Sequence, residues 1–237
     1  MIYCLVLPAG LVYSQLNSDS LYTSSQDSTF LTESNITDAI PLTTSFNFIY
    51  GFAVPHAKEV VNIRGTHPIG YELNFAYLLY TREVWDDCHC YPRLGFHLAF
   101  YDFDINEIFG YGYEGGIDFT YFFGLLSKFN FLVKGKAGLS YLTKPYDKED
   151  HPENMSYSTH LNYLLSAGGG IRYEFSDHIE TQFLVSMNHN SNAALTEPNG
   201  GINYPALSLA LGYTFDPVEI KSRTHPDPYL TSENKKR

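Results

Sequence analysis

Residues 129–141 read FNFLVKGKAGLSY, and the alternation within this stretch decides the fold. Phe129, Phe131, Val133, Gly135, Ala137, Leu139 and Tyr141 share one parity, and Asn130, Leu132, Lys134, Lys136, Gly138 and Ser140 share the other. Successive side chains of a strand point to opposite faces, so this strand has one apolar face and one face that carries charge. The pattern returns in 161–175, where Leu161, Tyr163, Leu165, Ala167, Gly169, Ile171, Tyr173 and Phe175 oppose Asn162, Ser166, Arg172 and Glu174. In 109–123, Phe109, Tyr111, Tyr113, Ile117, Phe119, Tyr121 and Phe123 oppose Glu114, Asp118 and Thr120. Eight such segments are read along the chain, at about 46–56, 69–80, 93–103, 109–123, 129–142, 161–175, 178–192 and 202–215. Several exceed the ~9–11 residues that a tilted strand needs to cross a bilayer.

Soluble sandwiches also alternate, so the chemistry of each face has to decide. The polar faces collect charges of both signs: Glu72, Glu114, Asp118, Lys134, Lys136, Arg172, Glu174 and Glu180. The apolar faces end in aromatics, as with Phe129 and Tyr141, Tyr173 and Phe175, or Tyr213 and Phe215. Aromatic girdles at two interfaces mark a membrane barrel. Composition agrees. With 20 Tyr and 17 Phe among 237 residues the chain is 16% aromatic but only 17% charged, against about a quarter charged in a soluble domain. So many aromatics exclude a disordered chain, and a net charge of −11 argues against nucleic acid, which demands a basic face. No run reaches the ~18 apolar residues of a transmembrane helix. The expected fold is all-β: an eight-stranded antiparallel transmembrane β-barrel over 46–215, its lumen just filled by side chains that form an ion-pair network.

The ends read differently. Residues 1–14 resemble a secretory signal with cleavage before Gln15, although no Lys or Arg precedes Lys58 to supply the positive n-region. Residues 15–45 are polar and aperiodic, which predicts a disordered or loosely packed segment or a short plug, and 216–237 reads as a tail. Ser127-Lys128 and Ser176-Asp177 are tight turns, whereas 143–160 and 193–201 are long and polar. That matches short periplasmic turns opposite longer outer loops. The 81–92 connection, with Trp85, is long on the wrong side of this scheme. Cys88 and Cys90 flank His89; in an extended chain such a pair does not close easily. It also lacks the C-x₂₋₄-C spacing and four ligands of a zinc site, so no metal is expected.

Chemistry concentrates in 188–205, NHNSNAALTEPNGGINYP. Ile179, Thr181, Phe183, Val185 and Met187 form the apolar parity of the seventh segment, and His189 and Ser191 continue it. Same-face neighbours lie ~6–7 Å apart at Cα, within reach of an imidazole–hydroxyl contact. In the eighth segment the outward parity begins with Asn203, followed by Pro205 and Leu207. Polar groups on a lipid face are costly unless they lie near the interface or are functional. His, Ser and a third polar group together suit a base, a nucleophile and an orienting residue. Glu197 reads as a solvated loop charge. His97, His151, His160 and His178 have no matching nucleophile, and Gly168-Gly169-Gly170 lacks the context of a nucleotide loop.

The stretch HNSNAALTEPNGGIN resembles the H-x-S-N…P-N-x-G signature of the lipid A 3-O-deacylase family, also called acyloxyacyl hydrolases. Residues 91–95, 138–147 and 158–162 resemble further segments of that family, mainly in order and spacing. The resemblance implies an outer-membrane barrel esterase that cleaves an ester of lipid A, or lipopolysaccharide, in the outer leaflet without a cofactor. It casts His189 as general base and Ser191 as nucleophile, and gives Asn192 and Asn199 the roles of shaping the site and stabilising the oxyanion. Two positions depart from the family: Asn203 stands where a Glu completes the triad of its best-known members, and Ala194 stands where Gly is frequent. Outer-membrane phospholipase A, a larger barrel, is similar in using His, Ser and Asn on its lipid face. A phospholipase and a non-catalytic structural or adhesive barrel are therefore the alternatives to a lipid A esterase.

Overall fold

Eight antiparallel strands pair in chain order, and the last closes on the first. The computed structural model describes residues 38–55, 64–125 and 127–220. Its strands are β1 (Leu42–Gly51), β2 (Ile69–Leu78), β3 (Arg93–Asp102), β4 (Tyr111–Phe123), β5 (Phe129–Leu142), β6 (Leu161–Glu174), β7 (Ile179–Ser191) and β8 (Ile202–Thr214). Closure leaves no sheet edge, so every strand finds backbone partners on both sides. The expected leader at 1–14, most of the polar segment at 15–45 and residues 221–237 of the tail lie outside the described residues.

The apolar parity points outward. Phe46, Phe48 and Tyr50 on β1, Leu94, Phe96 and Leu98 on β3, and Leu207, Leu209 and Leu211 on β8 are all exposed. Such rows on every strand form a belt far larger than the few hundred Å² of apolar patch that a soluble monomer shows. This is the surface of a transmembrane barrel. The polar parity points into the lumen, where each buried charge has a partner. The Arg93 guanidinium forks onto Glu180 at 2.5 and 2.7 Å, and Arg172 reaches Glu180 at 2.6 Å and Glu174 at 2.8 Å. Both guanidinium groups lie over the Phe122 ring. Farther along the axis Lys136 pairs with Glu72 and Lys134 lies 3.2 Å from Asp118. Towards the end that carries the 143–160 loop, an apolar plug of Ile49, Tyr101, Phe103, Leu142, Tyr157 and Tyr204 fills the lumen. The expected ion-pair network is thus present, with an aromatic plug above it.

Five details differ from the sequence reading. β1 begins at Leu42, inside the stretch read as an irregular segment. After Leu42 the strand runs Thr43-Thr44-Ser45, so the exterior row is broken by Thr44, while Thr43 faces the lumen, where its hydroxyl lies 2.9 Å from that of Thr214. Phe109 does not join the exterior row of β4. Gly110, at φ 61°, turns the chain first, and Phe109 is only 1% exposed in the plug. The 81–92 connection contains a short helix, α1 (Arg82–Cys88), capped by Thr81, whose hydroxyl accepts from the Val84 N–H. Cys88 and Cys90 are disulfide-bonded. The extended-chain argument fails because α1 ends at Cys88 and His89 adopts a left-handed conformation, which draws the two Cα atoms to 5.1 Å, within the range that a disulfide spans. Finally, Val218 and Ile220, read as part of an unpacked tail, pack with Trp85 and Leu125 against Leu78, Tyr80 and Tyr91.

Candidate active site

β7 carries two rows of side chains with opposite fates. Glu180, Leu184, Asn188 and Asn190 are buried in the lumen, whereas Phe183, Val185 and Met187 are exposed on the exterior and lead to His189 and Ser191. His189 and Ser191 are half-buried at the strand's last turn of parity. The register sets Asn203 of β8 opposite His189 on one side and Leu165 of β6 on the other; Tyr163 lies opposite Ser191. Strand pairing thus joins residues 14 positions apart in sequence.

The three polar groups are hydrogen-bonded in a chain. His189 Nδ1 lies 2.5 Å from Asn203 Oδ1, and His189 Nε2 lies 2.9 Å from Ser191 Oγ. An amide oxygen can only accept, so Nδ1 carries the proton and donates. That tautomer leaves the Nε2 lone pair to accept from the Ser191 hydroxyl, the polarity that a nucleophile–base pair requires.

The 192–201 loop shapes the far side. Ala193 and Ala194 are both left-handed, at φ 55° and 61°, and Leu195 between them and Thr196 is 73% exposed. Asn192 is fully buried. Its side-chain amide donates to Ser158 Oγ at 3.0 Å and to the Thr196 carbonyl at 2.9 Å, while its backbone N–H donates to Asn199 Oδ1 at 3.1 Å. Glu197 does more than face solvent: its carboxylate accepts from the Asn199 N–H at 3.1 Å. Among the described residues the backbone N–H groups of Ala193 and Ala194 and the side-chain amide of Asn199 donate to no acceptor. Gly201, at φ 68°, brings the chain back over the imidazole, where an added Cβ would sit 3.1 Å from His189 Cε1. This close approach and the positive φ together require glycine.

The neighbouring 143–160 loop supports these positions. Tyr157 is fully buried and its hydroxyl donates to the Phe109 carbonyl at 2.6 Å; burial pushes this phenol well above its ordinary range and keeps it a donor. At the exposed tip, Asp147 accepts from the N–H groups of Glu149 and Asp150, which holds its carboxyl below the usual range. The other histidines singled out in the sequence have structural surroundings. His160 and His178 bond to the Leu142 and Thr214 carbonyls, the His151 backbone pairs with that of Asp147, and His97 is buried in the lumen 4.0 Å from Asp118. Gly201, Thr196 and Ser158 lie in stretches that resemble the family, but the sequence reading gave none of them a role. The paired Gly200-Gly201 was a usable signal for a close turn, whereas what Ser158 and Thr196 do depends on two loops meeting.

Comparison with known proteins bears on the fold and the family. The crystal structure of the outer membrane enzyme PagL superposes with a TM-score of 0.51 at 14% identity, over 70% of this chain and 97% of that one. Neisserial surface protein A gives the same TM-score at 10% identity, over 73% of this chain and 97% of its own. Both likenesses are of fold. No curated protein sequence matches. With its apolar belt and outer-membrane neighbours, the barrel is one of the bacterial outer membrane. The family model of the lipid A 3-O-deacylases (PagL) matches residues 69–213, more than half of the chain, from β2 through β8 and across the whole His189–Asn203 stretch, and the chain belongs to that family.

Proposed function

We propose that this chain is an outer-membrane esterase that removes an ester-linked acyl chain from lipid A, with Ser191 as nucleophile, His189 as general base and Asn203 as the group that fixes the imidazole. The observation that carries the reading is the hydrogen-bonded chain Ser191–His189–Asn203 on the exterior parity of β7 and β8. Polar side chains there face hydrocarbon or its interface, a costly placement without a task. Ser191 is the last residue of β7, so with the long loops outward it lies where headgroup meets acyl chain, the depth at which the ester linkages of a lipid sit.

In the first step Ser191 Oγ attacks the ester carbonyl carbon while its proton passes to His189 Nε2. The tetrahedral oxyanion then collapses, the sugar alcohol leaves with the proton from Nε2, and the acyl chain remains on Ser191. Water repeats the sequence: His189 takes its proton, the acyl-enzyme ester is cleaved, and the fatty acid departs. The N–H groups of Ala193 and Ala194 and the amide of Asn199 are the groups beside Ser191 free to meet the oxyanion. Asn192, cast by the resemblance in a similar role, has its amide committed to Ser158 and Thr196, so it shapes the loop. Asn203 selects the tautomer as a carboxylate would, but it adds no charge to stabilise the imidazolium. The scheme draws on no metal or cofactor.

Mass spectrometry of lipid A from cells that express the wild type or Ser191→Ala tests the reading. The wild type is expected to yield lipid A lighter by one acyl chain and the variant unmodified lipid A; identical acylation in both would overturn it. The neutral Asn203 supports a second reading, a phospholipase, and incubation with radiolabelled glycerophospholipid separates the two by which substrate releases fatty acid.

A further inference from the structure

We propose that Ser158, on the 143–160 loop, is a positioning residue for the acyl-transfer step: it holds the 192–201 loop, and with it the groups around Ser191, in the geometry that the reaction needs. The proposal rests on the esterase reading above and adds to it a residue outside the His189–Asn203 stretch.

The argument begins with the 192–201 loop itself. Two consecutive non-glycine residues in the left-handed region, Ala193 and Ala194, form a backbone that does not persist unaided. Such a conformation lasts only when surrounding groups over-determine it. The exposed side chains of Ala193, Ala194 and Leu195 give no packing to do so. The restraint comes from hydrogen bonds. The Ser158 hydroxyl lies at their centre: it accepts from the buried Asn192 amide at 3.0 Å, donates to the Thr196 carbonyl at 3.0 Å, and lies 2.8 Å from the Thr196 hydroxyl. Asn192 directly follows Ser191, so this contact bears on the residue adjoining the nucleophile. Thr196 closes the other side of the same loop.

Ser158 is itself well anchored. The adjacent Tyr157 is fully buried in the lumen plug and bonded to the Phe109 carbonyl. The two residues before it present their carbonyls to the returning chain: Gly200 N–H donates to Met155 O at 3.1 Å and Gly201 N–H to Ser156 O at 2.6 Å. Gly201 is the residue that covers the imidazole. The 155–158 segment therefore holds the loop next to both ends of the Ser191–His189 pair, by backbone carbonyls on the His189 side and by the Ser158 hydroxyl on the Ser191 side. Only the second of these depends on a side chain and can be removed by substitution.

The test uses the full-length barrel in detergent, with a small fluorophosphonate as probe of Ser191 and a short-chain p-nitrophenyl ester as substrate. Ser158→Ala is expected to slow labelling and lower kcat by on the order of 10- to 100-fold with KM little changed, the cost of a displacement of about 1 Å near the reacting groups. Ser158→Thr, which keeps the hydroxyl, is expected to restore both. Thr196→Val leaves the Thr196 carbonyl in place and is expected to have a smaller effect than Ser158→Ala. The folded, heat-modifiable band on a gel measures the folded fraction of each variant. Wild-type labelling and kcat in Ser158→Ala would overturn the proposal. So would equal losses in the Ala and Thr variants, or a loss that only follows the folded fraction. A wild type that resists the probe, or a Ser191→Ala variant that labels as fast, removes the esterase reading and this proposal with it, an outcome distinct from failure of Ser158 alone.

Discussion

The two sides of β7 treat polar residues in opposite ways. On the lumen side Glu180 is buried between Arg93 and Arg172, Asn190 donates to Glu114 at 2.9 Å and Asn188 to the Tyr204 carbonyl at 3.2 Å. Polar groups are accommodated there, beneath the apolar plug, because each buried charge has a partner. On the exterior side His189, Ser191 and Asn203 continue a row of apolar residues and bond chiefly to one another. The first set explains itself by stability and the second does not. Polarity inside a small barrel is therefore architecture, whereas polarity outside it asks for a function.

That contrast can be broken by substitution. The largest effect is expected from Ser191→Ala: deacylation of lipid A in detergent micelles should fall by about 10³-fold or more, ~4 kcal/mol of transition-state stabilisation, while the urea midpoint of the barrel stays put. The lumen should show the inverse. Glu180→Gln leaves the buried Arg93 guanidinium without its anion and Arg172 with Glu174 alone, and is expected to cost about 3–5 kcal/mol of stability, read by urea unfolding, with the rate per folded molecule unchanged. If Glu180→Gln abolished activity in fully folded barrels, the separation of the two sides would fail.

Asn203 sharpens the comparison, since it is the exterior residue with the least obvious chemistry. Asn203→Ala frees the imidazole to adopt either tautomer and is expected to lower kcat by about 10- to 100-fold without loss of stability. A purely structural Asn203 would show the reverse pattern in the same two measurements. The smallest effect is expected far from the site, at Cys88–Cys90. The bond closes a loop with a sequence separation of only 2, so Cys88→Ser with Cys90→Ser should cost no more than about 1–2 kcal/mol and leave deacylation as it was.

Much of the barrel was legible because period two survives wherever one face meets lipid. Phe129–Tyr141 displays it completely, and the charged residues read onto the inner face lie in the lumen, where Arg93, not among them, joins Glu180. Legibility failed where that contrast is missing. Leu42 to Ser45 form the start of β1 without an apolar row, and Phe109 has the right parity but follows a turn into the plug. Cys88 and Cys90 are joined through a helix end that seven residues of polar and aromatic sequence do not announce. Of the candidate site, the shared parity of His189, Ser191 and Asn203 could be read, as could the signature around them. The bond between His189 and Asn203 needed the register of β7 on β8.

By itself, the sequence determined the all-β class, the number of strands and which residues face hydrocarbon, because these follow from local alternation and from the cost of polar groups in lipid. Only the tertiary structure decided what lies beside what: Glu180 between two arginines, Asn203 against His189, Ser158 against Asn192. Those pairs come from different strands and loops, and their meeting is set by barrel closure and inter-strand register, which no single segment encodes.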